Sequence, residues 1–468
     1  MSLWDELRGA PLFLRRTVSG DQRGAEDTPA ALARRKRAEA LRLRVKPRIL
    51  FLAQCLPYPP QSGATARTFN VLRQLRLDFD VTLLAFSRRN HQVDETARRA
   101  SRRALADLLN AVGTPVPLPC ERSAIRRLWD HLRSVATRRP YTFFEYESEG
   151  FRTQLRDMVS RDGFEVVHID SLDLYRWLRE LPPTPTICTH HDIEWDLLRL
   201  RAQRTKPSIL SRYLRYQADL VERLAREVCP GFSANVVVSA RDAQRLRSTV
   251  SHAKIEVVPN GVDTTHFVPQ RDVPVVPGRV VFVGSTNAPA NRDAVEYLLR
   301  DVWPSIRHAR PEATLQLIGR SSESARARYA AEPGVAVLGH LNDIRHHVAQ
   351  ACCVVAPLRI GGGTRVKILD AWAMGKAVVS TAIGCEGLEA SDGENLLVRD
   401  DPEAFADAVL RVLDDPTIRL GLESHARRTA EQVYSWDVIG PAMRAKYWAI
   451  IDSVREPTGQ ARRSESRA

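Results

Sequence analysis

Residues Ala356–Gly375 read APLRIGGGTRVKILDAWAMG. An apolar strand runs out at Pro357, glycines follow at Gly361, Gly362 and Gly363, and a helix with apolar residues at helical spacing begins at Arg365. Thr364 is placed to cap that helix. Successive glycines let backbone N–H groups approach a ligand closely, and the first turn of a helix adds partial positive charge. Arg365 and Lys367 add formal charge at the mouth, and Asp370 lies one turn inside. Together these make a phosphate cradle. It is neither G-x-x-x-x-G-K-[ST] nor G-x-G-x-x-G, so neither common nucleotide loop describes it.

The sequence around the cradle keeps one texture. Arg279–Val283, Thr314–Ile318, Val335–Leu338, Cys352–Pro357 and Ala377–Thr381 are short, continuous and rich in Val, Ile and Leu, as strands covered on both faces are. Upstream, Arg48–Leu56, Val81–Phe86, Glu165–Asp170, Thr186–His190 and Asn235–Ser239 read the same way. Helices are expected between them over Thr65–Arg76, Glu95–Ala111 and Ser211–Val228. Such alternation predicts an α/β fold with parallel, doubly wound sheets. Pro269, Pro274 and Pro277 mark a joint. The expected architecture is therefore two Rossmann-like domains, 47–268 and 278–432, facing across a cleft at the carboxyl ends of both sheets.

Composition narrows the function. Of 468 residues 44% are apolar, which excludes a wholly disordered chain. Lys plus Arg number 69 against 56 Asp plus Glu, a net charge of +13 that favours an anionic partner: nucleic acid, phospholipid or a phosphorylated substrate. No run approaches the roughly 18 apolar residues of a membrane span. Asp5 and Glu6 without a long apolar run argue against a secretory signal. The seven cysteines are scattered and never spaced C-x-x-C, which argues against a disulfide framework and for a reducing, cytoplasmic setting. Residues 1–46 carry eleven Lys or Arg against six Asp or Glu, with a short basic helix expected over Ala30–Arg44. They read as a solvated extension; Trp4 and Phe13 among arginines leave open a loose anchor on an anionic membrane face. Residues 457–468 read as a polar, frayed tail.

Ala356–Gly375 resembles the signature of family 4 of the retaining glycosyltransferases, enzymes of the GT-B fold that take a sugar from a nucleotide diphosphate. That resemblance implies that Asp370 hydrogen-bonds the ribose hydroxyls. Many relatives carry a second carboxylate eight residues earlier, where this chain has Gly362. The GGGTR-x-K variant is similar to a branch associated with exopolysaccharide assembly, which implies a glycan or lipid-linked acceptor at the cytoplasmic membrane face. Three further stretches resemble the family. Val280–Asn291 (VVFVGSTNAPAN) is similar to the opening of the donor domain, implying Gly284 and Ser285 at the diphosphate; Ser285 and Asn291 stand where relatives place Arg and Lys, which shifts the charge onto Arg365 and Lys367. Val337–Asp343 (VLGHLND) is similar to the nucleobase loop, implying a role for Leu341, with His340 read as structural or solvent-facing. Glu256–Asp263 (EVVPNGVD) is similar to the domain junction, although its Pro-Asn-Gly turn is explained by turn chemistry alone. The resemblance also implies that the last helix, 435–452, returns to the first domain.

On the acceptor side, Gln54–Arg67 (QCLPYPPQSGATAR) is similar to the family's acceptor loop, implying Gly63 near the transferred sugar and Arg67 beside it. Val166–Asp170 ends a strand that relatives use to present a catalytic-region histidine, so His168 and Asp170 are expected on one cleft wall. His191 belongs to a second cluster, His190 to Glu194. Neither cluster has the ligand spacing of a zinc site. The D-x-D of Asp78–Asp80 precedes a strand and reads as turn chemistry, not as the metal-holding pair of the other major transferase fold. The expectation is a retaining transferase needing no metal or other cofactor, with the backbone of Gly361–Gly363, Arg365 and Lys367 stabilising the departing diphosphate. Two alternatives stand beside it. A dinucleotide-binding oxidoreductase lacks G-x-G-x-x-G after the first strand. A non-catalytic membrane or nucleic-acid binder is motivated by +13, but the arginines spread through helices and do not interleave with aromatics, so no nucleic-acid partner is expected.

Overall fold

In the computed structural model, residues 46–455 are described, apart from 90, 93, 122, 362 and 363. The basic extension, the polar tail and two cradle glycines, Gly362 and Gly363, lie outside the described residues. The first sheet holds β1 (Arg48–Ala53), β2 (Asp80–Ser87), β3 (Ala111–Val112), β4 (Val116–Pro117), β5 (Val166–Ile169), β6 (Thr186–His190), β7 (Ala234–Val237) and β8 (Ile255–Val257). Its order is β3-β2-β1-β5-β6-β7-β8, with β4 also on β2. The second sheet holds β9 (Arg279–Val283), β10 (Thr314–Ile318), β11 (Val335–Gly339), β12 (Cys353–Ala356), β13 (Val378–Ser380) and β14 (Leu397–Val398), in the order β11-β10-β9-β12-β13-β14. Every pairing in both sheets is parallel. Both orders reverse beside the first strand, and ligands of open α/β sheets bind at that switch point.

The helices that position the site are α1 (Gly63–Asp78), α2 (Ala124–Thr137), α3 (Ile209–Val228), α4 (Pro289–Tyr297), α5 (Val366–Ala373) and α6 (Trp436–Arg455). Helix α1 starts with a capping box, the Ser62 hydroxyl accepting from the Thr65 amide (3.3 Å) and the Thr65 hydroxyl from the Ser62 amide (2.9 Å). Thr65, Thr68, Leu72 and Leu75 recur at helical spacing and are buried, each leucine worth about 1.5–3 kcal/mol. Phe79 alone joins α1 to β2. The helix expected over Glu95–Ala111 ends at Ala106, because Ala111 and Val112 pair with Thr82 and Leu83 as an edge strand. Sheet pairing outweighs local propensity there.

Helix α6 leaves the second domain and packs on the first. Trp436, Ile439, Met443, Tyr447 and Ile451 join the core that contains Ile49, Phe51, Leu72 and Leu75. Asp78 takes an ion pair from Arg444 (3.1 Å) and a hydrogen bond from the Trp448 indole (3.4 Å). Asp78, the first of the two acidic residues, therefore fastens this helix to α1, while Asp80 opens β2.

Candidate active site

The loop from β12 to α5 is held by its own side chains. Gly361 has φ +147°, a conformation glycine tolerates, and the Arg365 guanidinium lies where its Cβ would be. Arg359 pairs with Asp293 of α4 (2.6 Å) and lies over the Tyr297 ring, 4.6 Å from its centroid. Arg365, not Thr364, is the residue before the helix, and it makes no side-chain cap. The Thr364 hydroxyl instead accepts from the Asn260 amide (2.5 Å). Thr364 lies one residue outside the cap position, so the first turn of α5 has no side-chain cap.

Lys367 sits at that mouth. Its ammonium donates to Asn291 Oδ1 (2.8 Å) and lies 4.5 Å from the Phe282 ring centroid. A Cβ on Gly284 would stand 2.7 Å from Nζ. Asn291 in turn donates to the Ser285 carbonyl (3.0 Å), and the Ser285 hydroxyl donates to the Arg320 carbonyl (3.0 Å). Gly284, Ser285, Asn291 and Lys367 are thus one constellation. Burial, then the charge of Arg365, lowers the Lys367 pKa to about 7. Asp370 and Lys367 line one small void within the second domain, together with Val283 and Ile344. Burial pushes the Asp370 carboxyl up to about 8, and no described residue donates a hydrogen bond to it. Leu341 packs on the edge of the second core, and His340 beside it is exposed.

Gly319, after β10, fixes this geometry. It has φ +143°, and a Cβ there would press on the Gly284 carbonyl and stand 2.8 Å from the Ser285 amide. Gly319→Ala is expected to displace the Gly284–Ser285 backbone and cost about 1–3 kcal/mol in stability. A melting temperature equal to wild type would show that the two loops do not need this contact.

The facing wall belongs to the first domain. Gly63 is exposed, and a Cβ on it would meet Val366 at 3.7 Å, so the acceptor-side loop abuts the start of α5. Asp170 accepts from the Thr68 hydroxyl (2.5 Å) and faces His191 Nε2 (3.3 Å). Burial opposes its ionisation, yet His191, His168 and Thr68 together hold its pKa below the ordinary value. Asp192 is among the charges facing Arg365, whose pKa burial lowers against the pull of Asp192, Glu386 and Asp242. Arg365 therefore stands between the two walls.

Two expected site residues have their polar groups engaged within the fold. His168 is buried, stacked on Phe51 at 4.2 Å, with Nδ1 bonded to the Tyr447 hydroxyl (2.6 Å) and Nε2 to Thr189 (3.1 Å). Burial lowers its pKa to about 3. Both ring nitrogens are taken within the fold, and the bond to Tyr447 ties His168 to α6. Arg67, expected beside the acceptor, is also buried; it donates to the carbonyls of Val258 (2.9 Å) and Pro259 (3.0 Å) and to Asn260 Oδ1 (2.8 Å). It holds the domain junction. His190 bonds Asn235 (3.1 Å), away from the partner of His191. Sequence reasoning missed Thr68 and the side chain of Asn260. The hydroxyl at Thr68 gives no pattern beyond helical spacing, and the Pro-Asn-Gly turn already accounted for Asn260. Among the described residues no group of three or more His, Cys, Asp or Glu is arranged to hold a metal ion.

Two parallel-sheet domains with a cradle on one wall and polar groups on the other define a GT-B glycosyltransferase. A family model described as Glycosyltransferase Family 4 matches residues 61–266, and one described as Glycosyl transferases group 1 matches residues 277–415. Each match falls on one domain, and the chain belongs to the glycosyltransferases these two models describe. It is 23% identical over 378 residues to the phosphatidyl-myo-inositol mannosyltransferase of Mycolicibacterium smegmatis, covering 77% of this chain and 86% of that relative. Among solved structures, sucrose-phosphate synthase of Thermosynechococcus elongatus superposes with a TM-score of 0.63 at 15% identity, over 87% of this chain and 100% of that one. Anabaena Alr3699/HepE in complex with UDP-glucose superposes at 0.61 and 15% identity, over 86% of this chain and 99% of that one.

Proposed function

We propose that the enzyme is a retaining transferase that moves a sugar from a nucleotide diphosphate to a glycan or lipid-linked acceptor, without a metal ion, in the building of exopolysaccharide or another cell-surface polysaccharide. The observation that carries this reading is the Lys367 ammonium held against Gly284 and Asn291 at the start of α5, with the Asp370 carboxyl beside it on the same small void. As the glycosidic bond breaks, negative charge gathers on the leaving diphosphate. Lys367, Arg365 and the N–H groups of the cradle answer that charge in place, each donor contributing about 2.7–4 kcal/mol. Asp370 then receives the ribose hydroxyls, which favour its ionised form. No carboxylate stands at position 362, and retention follows from attack on the face the diphosphate leaves. HepE of Anabaena, solved with UDP-glucose, supports a nucleotide-sugar donor. The phosphatidyl-myo-inositol mannosyltransferase relative supports a lipid-linked acceptor. No described helix is long and apolar enough to cross a membrane, and the proposed working place is the cytoplasmic membrane face.

The expected result is that nucleoside diphosphates raise the melting temperature and that transfer, followed by proton NMR of the anomeric signal, retains configuration in excess EDTA. A ligand at 100 times its dissociation constant adds about 2.7 kcal/mol. Inverted product overturns retention. A strict need for Mn²⁺ or Mg²⁺ overturns the metal-free reading.

A further inference from the structure

Helix α2 keeps its apolar side in water. Ile125, Leu128, Trp129, Leu132 and Val135 recur at helical spacing and are 51 to 70% exposed. The helix is anchored by its other side: Asp130 and Ser134 are buried, Asp130 pairs with Arg126 (2.8 Å), and Ser134 accepts from Gln217 of α3 (2.8 Å). His131 bonds the Tyr213 hydroxyl of α3 (2.6 Å), a second tie between the two helices. At the start of α3, Ile209 and Leu210 are exposed as well. An apolar pattern this regular marks a surface that meets something.

The charge around it says what. Residues 124–139 contain five arginines and one acidic residue, the buried Asp130; residues 204–216 contain Arg204, Lys206, Arg212 and Arg215 and no acidic residue. Arg127, Arg138, Lys206, Arg212 and Arg215 are exposed. An aliphatic stripe with a tryptophan, rimmed by unopposed cations, matches a helix lying in the headgroup layer of an anionic bilayer. A second copy of the same surface would bring like charges together and is disfavoured.

We infer that the α2 face, with Ile209 and Leu210, docks the folded enzyme on an anionic lipid surface. The face lies on the acceptor-side domain. Arg126 donates to the Phe144 carbonyl (3.1 Å) and Arg133 to Glu147 (2.6 Å). Thr142, in the same segment, hydrogen-bonds Asp173, which also accepts from Gln54 just beyond β1 (2.7 Å). Docking there brings the acceptor wall of the cleft to the bilayer; only this orienting role rests on the lipid-linked acceptor proposed above.

The test is cosedimentation of the full chain with vesicles of phosphatidylcholine, with and without phosphatidylglycerol, at low and high salt. Wild type is expected to bind the anionic vesicles and release them at high salt. Changing Leu128, Trp129 and Leu132 to Ser together should weaken partitioning roughly tenfold or more. Changing Arg212 and Arg215 to Glu should remove the preference for phosphatidylglycerol. Both variants should keep the thermal shift with a nucleoside diphosphate, which shows that they fold. If wild type lacks that shift but binds vesicles, the donor reading fails and the surface stands. Variants that sediment like wild type overturn the inference. So does wild type that ignores vesicles, or a wild-type dimer that the serine changes split into monomers, which would make the face a contact between copies.

Discussion

Lys367→Ala is expected to lower turnover roughly 100-fold while leaving the fold intact, and Arg365→Ala to lower it at least tenfold. A single preorganised donor to charge that develops in the transition state is worth about 10²–10³ in kcat. Lys367 is the cation fixed against Gly284 and Asn291. The fold should survive because burial already disfavours the ammonium, so its removal relieves the folded state. Steady-state kinetics distinguish this from a binding role: the loss should fall on kcat and kcat/KM together. Both variants at wild-type rate would sink the assignment. The pH dependence carries the same signature. In the free enzyme Lys367 loses its proton above about 7, and a diphosphate draws the proton back. Affinity should therefore fall as pH rises from 7, by up to about tenfold per pH unit. Asp370, at about 8, works in the opposite sense, since ionisation improves it as an acceptor for ribose hydroxyls. In Asp370→Asn only the Lys367 limb remains, so calorimetric titration with a nucleoside diphosphate between pH 6 and 9 should show a monotonic loss. A flat profile in that variant would mean that Lys367 does not meet the diphosphate.

Arg67→Met should produce the largest loss of stability. The buried guanidinium satisfies the carbonyls of Val258 and Pro259 and the side-chain oxygen of Asn260, and methionine leaves three acceptors without donors. At about 1–3 kcal/mol for each unmet group the cost is ~3 kcal/mol or more. The melting temperature should drop by roughly 3 °C or more. Activity should suffer as well, because Asn260 also donates to Thr364 and so ties the junction to the cradle. A melting temperature within one or two degrees of wild type, on the order of experimental scatter, would show that water replaces the guanidinium and that the junction is not held from α1. Asn260→Ala separates the effects: it should loosen Thr364 and slow transfer while costing less stability than Arg67→Met.

The local patterns carried the sheets because both faces of the inner strands are covered, and that requirement is written in runs such as Val280–Phe282 and Val354–Ala356. Thr186–His190, Arg279–Val283 and Thr314–Ile318 end where their apolar runs end. The cradle was legible for a similar reason: glycines, basic residues and a helix start are neighbours in the chain. Groups that meet only after folding were not legible. His168 has the residue type of a catalytic base, but Phe51, Tyr447 and Thr189 surround it and leave it neutral. Arg67 has the charge for an acceptor site, yet the chain around Asn260, nearly two hundred residues away, claims its donors. Thr364 has the residue type of a cap, but the helix starts one residue later than its pattern suggests and the same asparagine binds its hydroxyl. The apolar side of α2 shows the limit most plainly. Spacing declares that a helix has an apolar face, but only tertiary packing decides whether another element covers it, and here none of the described ones does. Sequence by itself thus determined which segments must be buried and where phosphate chemistry is possible. The tertiary structure decided which polar groups remain free for that chemistry, because a buried donor or acceptor is bound to whatever partner the fold brings within hydrogen-bond reach.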